Sequence, residues 1–193
     1  MEIVHRAAPC RNVPVTFTLD VIFMNPAYFG DSYDVVKRFF CSELRSLGYN
    51  LVVDPMLTGS WEGAEKQFFR FLGAAPYESA PTIASPVALL IDPDTGVGAK
   101  SGRQHVTLER IAELTRTNAI VFSFDQSFSR KHQPKQAMRR KLEELAEYGC
   151  RGAYYDSHAR FLFASSEQLR LEELVNHLVS LGMPESRFVG HDI

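Results

Sequence analysis

The chain lacks the features that mark several large protein classes. Its 193 residues include only three cysteines, which are far apart, odd in number and without a CxxC pair. This disfavours a disulfide framework and a zinc site of the common spacing, and it fits a reducing compartment. No apolar run approaches the roughly 20 residues that span a bilayer, and residues 1–12 lack the apolar core of a secretory signal. We therefore predict a cytoplasmic protein with no membrane partner.

Charge and common nucleotide or hydrolase motifs are also sparse. The net charge of -2 gives no overall attraction to nucleic acid or to anionic lipid. No Walker A Gly-Lys-Ser/Thr and no Gly-x-Ser-x-Gly elbow occurs, which disfavours a P-loop nucleotidase and an ordinary α/β-hydrolase. Hydrophobic residues at 45% and charged residues at 23% are normal for a globular protein. The length then predicts one domain over residues 1–193.

What the chain does contain is a repeated junction between an apolar run and an aspartate. The apolar runs with their closing aspartates cover residues 51–54, 88–92, 120–125 and 152–156. They end at Asp54, Asp92, Asp125 and Asp156. Helix-like segments separate the first three runs, which is the pattern of parallel strands with helical crossovers. Parallel strands end at one edge of their sheet, and ligands of open α/β sheets bind outside that edge.

The order of elements predicts a three-layer, Rossmann-like α/β sandwich. The sheet is expected to be mostly parallel, with a terminal antiparallel strand formed within residues 152–164. Residues 15–24 are predicted to form a strand, residues 1–14 a flexible N-terminus and residues 73–86 a lid or linker loop. Helices are expected to begin after Asp31, Thr107 and Gln133, because caps and a first-turn proline stand there.

The aspartates are the main candidates for chemistry. Clustered carboxylates at a strand edge favour a hard cation such as Mg²⁺, or hold a ribose hydroxyl or an exocyclic amine. The alternative is that each aspartate only begins a turn or caps a helix. The functional interpretation is favoured at Asp92 and Asp94. They are two positions apart where an apolar strand ends, and Gly96 follows them in the chain. Asp92, Asp94 and Asp125 are the predicted catalytic residues, and the same three are the predicted Mg²⁺ ligands if metal is used.

Two further groups carry open alternatives. Arg130 and Lys131 begin a basic segment that continues through Lys141 and that either contacts phosphate or forms a solvated helix face. His158 is expected to share a strand face with Asp156, so either the two form an acid–base pair or His158 is a structural, hydrogen-bonded histidine. Arg130, Lys131 and His158 are the predicted substrate or phosphate contacts.

The strand–Asp-Pro, helix, strand, helix and terminal strand pair resembles the second half of class I S-adenosylmethionine-dependent methyltransferases. Asp92-Pro93-Asp94-Thr95 stands where their amino-methylating members have an Asp-Pro-Pro-Tyr-like motif. The segment from Asp34 through Asp54 to Gly59 is similar to the start of ribosomal-RNA adenine methyltransferases and of three-Cys-motif partner proteins. Strings at 92–96, 124–127 and 157–159 also resemble a bacterial family of uncharacterised proteins.

The resemblance implies an S-adenosylmethionine site at Asp54 and Gly59, with Asp92 facing the amine to be methylated. Two departures stand out: one glycine replaces the family's glycine cluster, and Asp94 and Thr95 replace a proline and a base-stacking aromatic residue. Three hypotheses remain. They are a nucleic-acid-related methyltransferase with a reduced cofactor motif, a Mg²⁺-dependent nuclease or phosphodiesterase, and a non-catalytic domain that binds a nucleotide or a partner.

Overall fold

The fold follows the predicted alternation of strands and helices. The computed structural model describes residues 29–56, 61, 63–79, 86–100, 102, 104–128 and 133–190. The helices are α1 (Ser32–Ser46), α2 (Ala64–Leu72), α3 (Leu108–Leu114), α4 (Pro134–Glu147) and α5 (Gln168–Ser180). The strands are β1 (Asn50–Asp54), β2 (Ala75–Pro76), β3 (Val87–Ile91), β4 (Gly96–Val97), β5 (His105–Val106), β6 (Ile120–Phe124), β7 (Arg151–Tyr155), β8 (Phe161–Ser165) and β9 (Phe188–Val189).

Seven of these strands form the central sheet, in the order β2-β1-β3-β6-β8-β7-β9. The pairs β2–β1, β1–β3 and β3–β6 are parallel, whereas β8 is antiparallel to both β6 and β7. Strand β7 therefore runs in the same direction as β6, and β9 runs opposite to it. Five of the seven strands point the same way, so their carboxyl ends meet at one edge of the sheet.

Helices cover both faces of the sheet because the central strands are apolar on both sides. Alternate strand residues such as Val53, Leu90 and Phe122 pack with α1, α2 and α5. Their neighbours, such as Val52 and Leu89, pack with α3 and α4. The chain is thus a three-layer α/β sandwich, and the prediction of its fold class is confirmed.

Local signals placed the helices correctly. Asp31 accepts hydrogen bonds from the backbone N–H groups at the start of α1, Thr107 caps α3, and Pro134 is the first residue of α4. The short edge strands were not predicted. Strand β2 lies inside the loop expected at 73–86, and it includes Pro76, which an edge strand tolerates. The predicted strand at 15–24 and the N-terminus 1–14 lie outside the described residues.

Candidate functional site

A one-residue stagger separates the strand-ending aspartates. Asp54 is level with Ile91 of β3, and Ile91 is level with Ser123 of β6. Asp92 therefore lies one residue beyond the level of Asp54, and Asp125 lies two residues beyond it. Because side chains alternate between faces along a strand, Asp92 points to the opposite face from Asp54 and Asp125. The acids share an edge of the sheet but not a face.

Asp92 lies on the α1 face in a buried charge cluster. Its Oδ2 accepts a hydrogen bond from Lys37 Nζ at 2.7 Å, and Asp34 Oδ1 accepts from the same ammonium at 2.9 Å. The exposed fractions are 1% for Asp92, 5% for Lys37 and 6% for Asp34. Asp34 Oδ2 is held by the backbone N–H of Gly30 at 2.8 Å. Asp92 Oδ1 is also buried and has no hydrogen-bond partner among the described residues.

The cluster changes the acidity of its members. Burial raises the pKa of the Asp92 carboxyl to about 6, Lys37 opposes that shift, and Asp34 and Asp94 add to it. Burial alone lowers the pKa of Lys37, but the carboxylates of Asp92 and Asp34 outweigh burial, so its net shift is upward. Two carboxylates thus share one ammonium, and Asp92 is the group that gains a proton most easily near neutral pH.

Asp125, on the α4 face, has a very different environment. Its Oδ1 accepts from the Val97 N–H at 3.0 Å, the Ser127 N–H at 3.1 Å and the Ser127 hydroxyl at 2.7 Å. Its Oδ2 accepts from Lys141 Nζ at 2.8 Å and from the Tyr154 hydroxyl at 2.7 Å. The carboxylate is completely buried. Five donors occupy its lone pairs, so it ties β4, β6, β7 and α4 together.

Backbone packing reinforces that role. A Cβ added to Gly96 would lie 2.5 Å from Asp125 Oδ1 and 2.6 Å from Asp125 Cα, and the φ of Gly96 is +117°. Only glycine fits this close approach. Lys141 also donates to the carbonyl of Val97 at 2.6 Å and lies 4.5 Å from the centre of the Phe128 ring. Lys141 therefore belongs to this internal network, and its assignment to a solvated or phosphate-binding helix face was wrong.

The predicted metal ligands are not brought together. Asp92 and Asp125 point to opposite faces, and each already binds a lysine, at 2.7 Å and 2.8 Å respectively. Within the described ranges, no group of three or more His, Cys, Asp or Glu side chains is arranged to hold a metal ion. Asp94 lies near enough to raise the pKa of Asp92, but it forms no such group with Asp92 and Asp125. The residues present do not fit the Mg²⁺ site that the nuclease hypothesis needs.

A cleft opens where β1 and β2 end. It has a volume of about 520 Å³, and its lining includes the carboxylates of Asp54, Glu65 and Glu78. The aromatic rings of Phe69 and Tyr77 contribute apolar surface. This size and this mixture of apolar and polar groups are typical of small-molecule sites.

The wall of the cleft near Asp54 has an unusual backbone. Asp54 Oδ1 accepts from the Met56 N–H at 3.2 Å, and Met56 has a positive φ of 45°. A left-handed conformation is costly for a side chain such as methionine, and such residues cluster at ligand sites. Arg110, at the other side of the cleft, pairs with Glu113 at 3.1 Å.

Of the two alternatives for His158 and Asp156, the structure does not show the acid–base pair. Asp156 binds Arg160 Nε at 3.0 Å, whereas His158 Nε2 lies 2.9 Å from the hydroxyl of Tyr33. The rings of His158 and Tyr33 stack with their centroids 5.6 Å apart. Each side chain is thus used in a hydrogen bond to another residue, which is the structural alternative. His158 is exposed at the same edge of the sheet, next to the start of α1.

The other predicted contacts, Gly59, Arg130 and Lys131, lie outside the described residues. Sequence reasoning also missed Lys37 and Glu78, and it named Lys141 only as part of the basic segment. Both lysines occupy positions in the apolar stripe of their helix, and a charge in such a stripe signals a buried partner. Glu78 follows β2 about 20 positions after Gly59, the spacing at which nucleoside-binding folds place a ribose-binding acid.

None of the helices in the described part of the chain is long and apolar enough to cross a lipid bilayer. Comparison with protein-family models, with curated proteins and with solved structures finds no match to this chain. The geometry of the sheet edge therefore carries the functional argument.

Proposed function

We propose that the chain is a methyltransferase-like domain that binds an adenosyl cofactor, S-adenosylmethionine, in the cleft beside Asp54. The observation that carries the proposal is the position of this cleft at the carboxyl ends of two adjacent parallel strands, with Asp54 as the last residue of β1 and Glu78 after β2. Nucleoside-binding sheets place their ligands at this edge and use an acid after the second strand for ribose hydroxyls.

The donors and acceptors in the cleft fit such a ligand. Carboxylates of Asp54 and Glu78 accept hydrogen bonds from hydroxyl or amino groups, and the rings of Phe69 and Tyr77 offer apolar contact to a base. The acidic lining also suits a cationic ligand better than a nucleoside triphosphate. Among the proposed ligands, this favours S-adenosylmethionine over a phosphate-rich nucleotide.

When bound, S-adenosylmethionine supplies a methyl group. Asp92 stands at the end of β3, beside the strand that ends in Asp54, and its buried Oδ1 can accept a hydrogen bond from an amine. In this proposal Asp54 and Glu78 hold the cofactor, and Asp92 orients the methyl acceptor, with an amino group of nucleic acid or of a nucleotide as the proposed target.

Calorimetry on the full chain tests the cofactor site. We expect S-adenosylmethionine to bind and Asp54→Asn or Glu78→Gln to weaken binding about 10-fold or more, because each removes a charged hydrogen-bond acceptor. Glu144→Gln, on the exposed face of α4, is the matched control and should leave binding unchanged.

Two results would contradict the proposal: no binding at millimolar cofactor, or binding that neither cleft variant weakens. Transfer of a radiolabelled methyl group to RNA, DNA or nucleotides then tests turnover. Binding without any transfer would assign the chain to the non-catalytic nucleotide-binding class.

A further inference from the structure

Asp92 and Asp125 are both buried and both bind a lysine, but they differ in how many hydrogen bonds they accept. Asp125 has the features of a purely structural carboxylate. Asp125 accepts hydrogen bonds from five donors on both of its oxygens. Asp92, equally buried, uses only Oδ2, which binds Lys37 at 2.7 Å. A buried carboxylate oxygen without a donor is costly, so a site that keeps one is expected to use it.

The surroundings of Lys37 explain how Asp92 keeps its ion pair with Lys37 in the interior of the protein. The ammonium lies 5.7 Å from the centre of the Phe124 ring and 5.9 Å from that of Phe68, so it is shielded from water. In such an environment, the attraction between Lys37 and Asp92 is stronger than it would be at the surface. Asp34 is held by Gly30 and anchors Lys37 from the other side.

We propose that Lys37 is a positioning residue for Asp92: it fixes Oδ2, keeps the carboxylate ionised and leaves Oδ1 as an oriented acceptor for one hydrogen-bond donor. The inference deepens the proposed function and rests on it for the identity of the hydrogen-bond donor. That donor is the amine of the methyl acceptor, which binds Oδ1. Lys37 acts through Asp92 and does not itself meet the reacting atoms.

The charged groups around Asp92 shift its pKa in opposite directions, so the proposal can be tested without any cofactor. Lys37 favours the ionised carboxylate, whereas Asp34 and Asp94 favour its protonated form. Cys41 lies on the same helix as Lys37, and burial raises the pKa of its thiol to about 12, so it stays neutral throughout the relevant range.

The experiment is a ¹³C NMR titration of aspartate side-chain carboxyl carbons from pH 4 to pH 9, with the Asp92 signal assigned by its loss in Asp92→Asn. Lys37→Met should move the Asp92 midpoint upward by about 1 to 3 pH units, because an opposite charge at contact distance is lost. Asp34→Asn should move it downward. Lys37→Arg should restore a midpoint near that of the natural chain. Lys66→Met, an exposed lysine of α2, is the matched control and should leave it unchanged.

An Asp92 midpoint that does not rise in Lys37→Met overturns the proposal. Where that variant fails to fold, an unchanged or raised midpoint in Asp34→Asn overturns it instead. Lys37→Met and Asp34→Asn are expected to shift the Asp92 midpoint in opposite directions, because Lys37 favours the ionised carboxylate and Asp34 its protonated form. A failure of S-adenosylmethionine to bind would remove the proposed function but would leave this titration unaffected.

Discussion

Two strand ends that look alike in sequence hold their aspartates in different hydrogen-bonding environments. Asp92 after β3 and Asp125 after β6 are both fully buried and both bind a helix lysine, at 2.7 Å and 2.8 Å. Asp125 accepts hydrogen bonds on both of its oxygens and links β4 and α4 to the central sheet. Asp92 keeps one oxygen without a partner among the described residues. The difference in donor supply, rather than burial or charge, separates a carboxylate whose two oxygens both accept hydrogen bonds from one that uses a single oxygen.

The largest effect that tests this comparison is expected from Asp125→Ala. It leaves the partly buried Lys141 without its carboxylate and removes the acceptor of Tyr154 and Val97, so the free energy of unfolding should fall by about 3 to 5 kcal/mol. Asp92→Ala should cost less than about half as much, because Lys37 keeps Asp34 as a partner. Urea unfolding of both variants at pH 7 gives the two values, and equal losses would contradict the distinction drawn between the two sites.

The pH dependence of stability should reveal the raised pKa of Asp92. The folded carboxyl titrates at about 6, above its ordinary value of 3.8, so the folded state binds the proton more tightly than the unfolded state. The stabilisation by this proton is fully present below pH 3.8 and is lost as the pH rises through 6. Relative to Asp92→Asn, the natural chain should therefore gain up to about 3 kcal/mol as the pH falls from 7 to 4.

Urea unfolding of the natural chain and Asp92→Asn at unit pH intervals measures that difference directly. Effects of all other titrating groups cancel between the two proteins when they are distant from Asp92. A difference that stays constant, or that grows as the pH rises, would show that Asp92 is not the group that protonates.

The smallest predicted effects concern single hydroxyl groups. Tyr154→Phe removes a 2.7 Å hydrogen bond to the buried Asp125 and should lower the free energy of unfolding by about 2 kcal/mol. Tyr33→Phe removes the exposed 2.9 Å contact with His158 and should cost less than about 1 kcal/mol. Thermal or urea unfolding of the two variants checks this ranking, and a larger loss for Tyr33→Phe would reverse our assignment of which network holds the fold.

The sequence predicted the architecture well because its signals are local. Four apolar runs ending in aspartate became β1, β3, β6 and β7, and helix caps such as Asp31 and Thr107 stand where helices begin. The carboxyl edge of the sheet was likewise predictable, since it follows from parallel strands joined by helices.

The arrangement of side chains at that edge was not predictable, because it depends on pairing between distant segments. A stagger of one residue between β1 and β3, and again between β3 and β6, sends Asp92 to one face and Asp125 to the other. No local pattern encodes this offset. Lys37 and Lys141 interrupt the apolar stripes of α1 and α4, which indicates a buried partner for each. Only the folded structure shows which aspartate each lysine binds.

The reversed direction of β8 has a consequence for how this site can vary in evolution. Because β7 and β8 are antiparallel neighbours, the segment 156–160 joins them as a hairpin tip at the edge where β3 and β6 also end. Asp156 and Ala159 of this tip are buried, so an insertion that keeps strand register and the helical layers is expected only between them, beside the exposed His158. The tip carries His158, which already reaches the start of α1. Length changes between Asp156 and Ala159 are therefore the simplest way to alter this part of the sheet edge while the core stays the same.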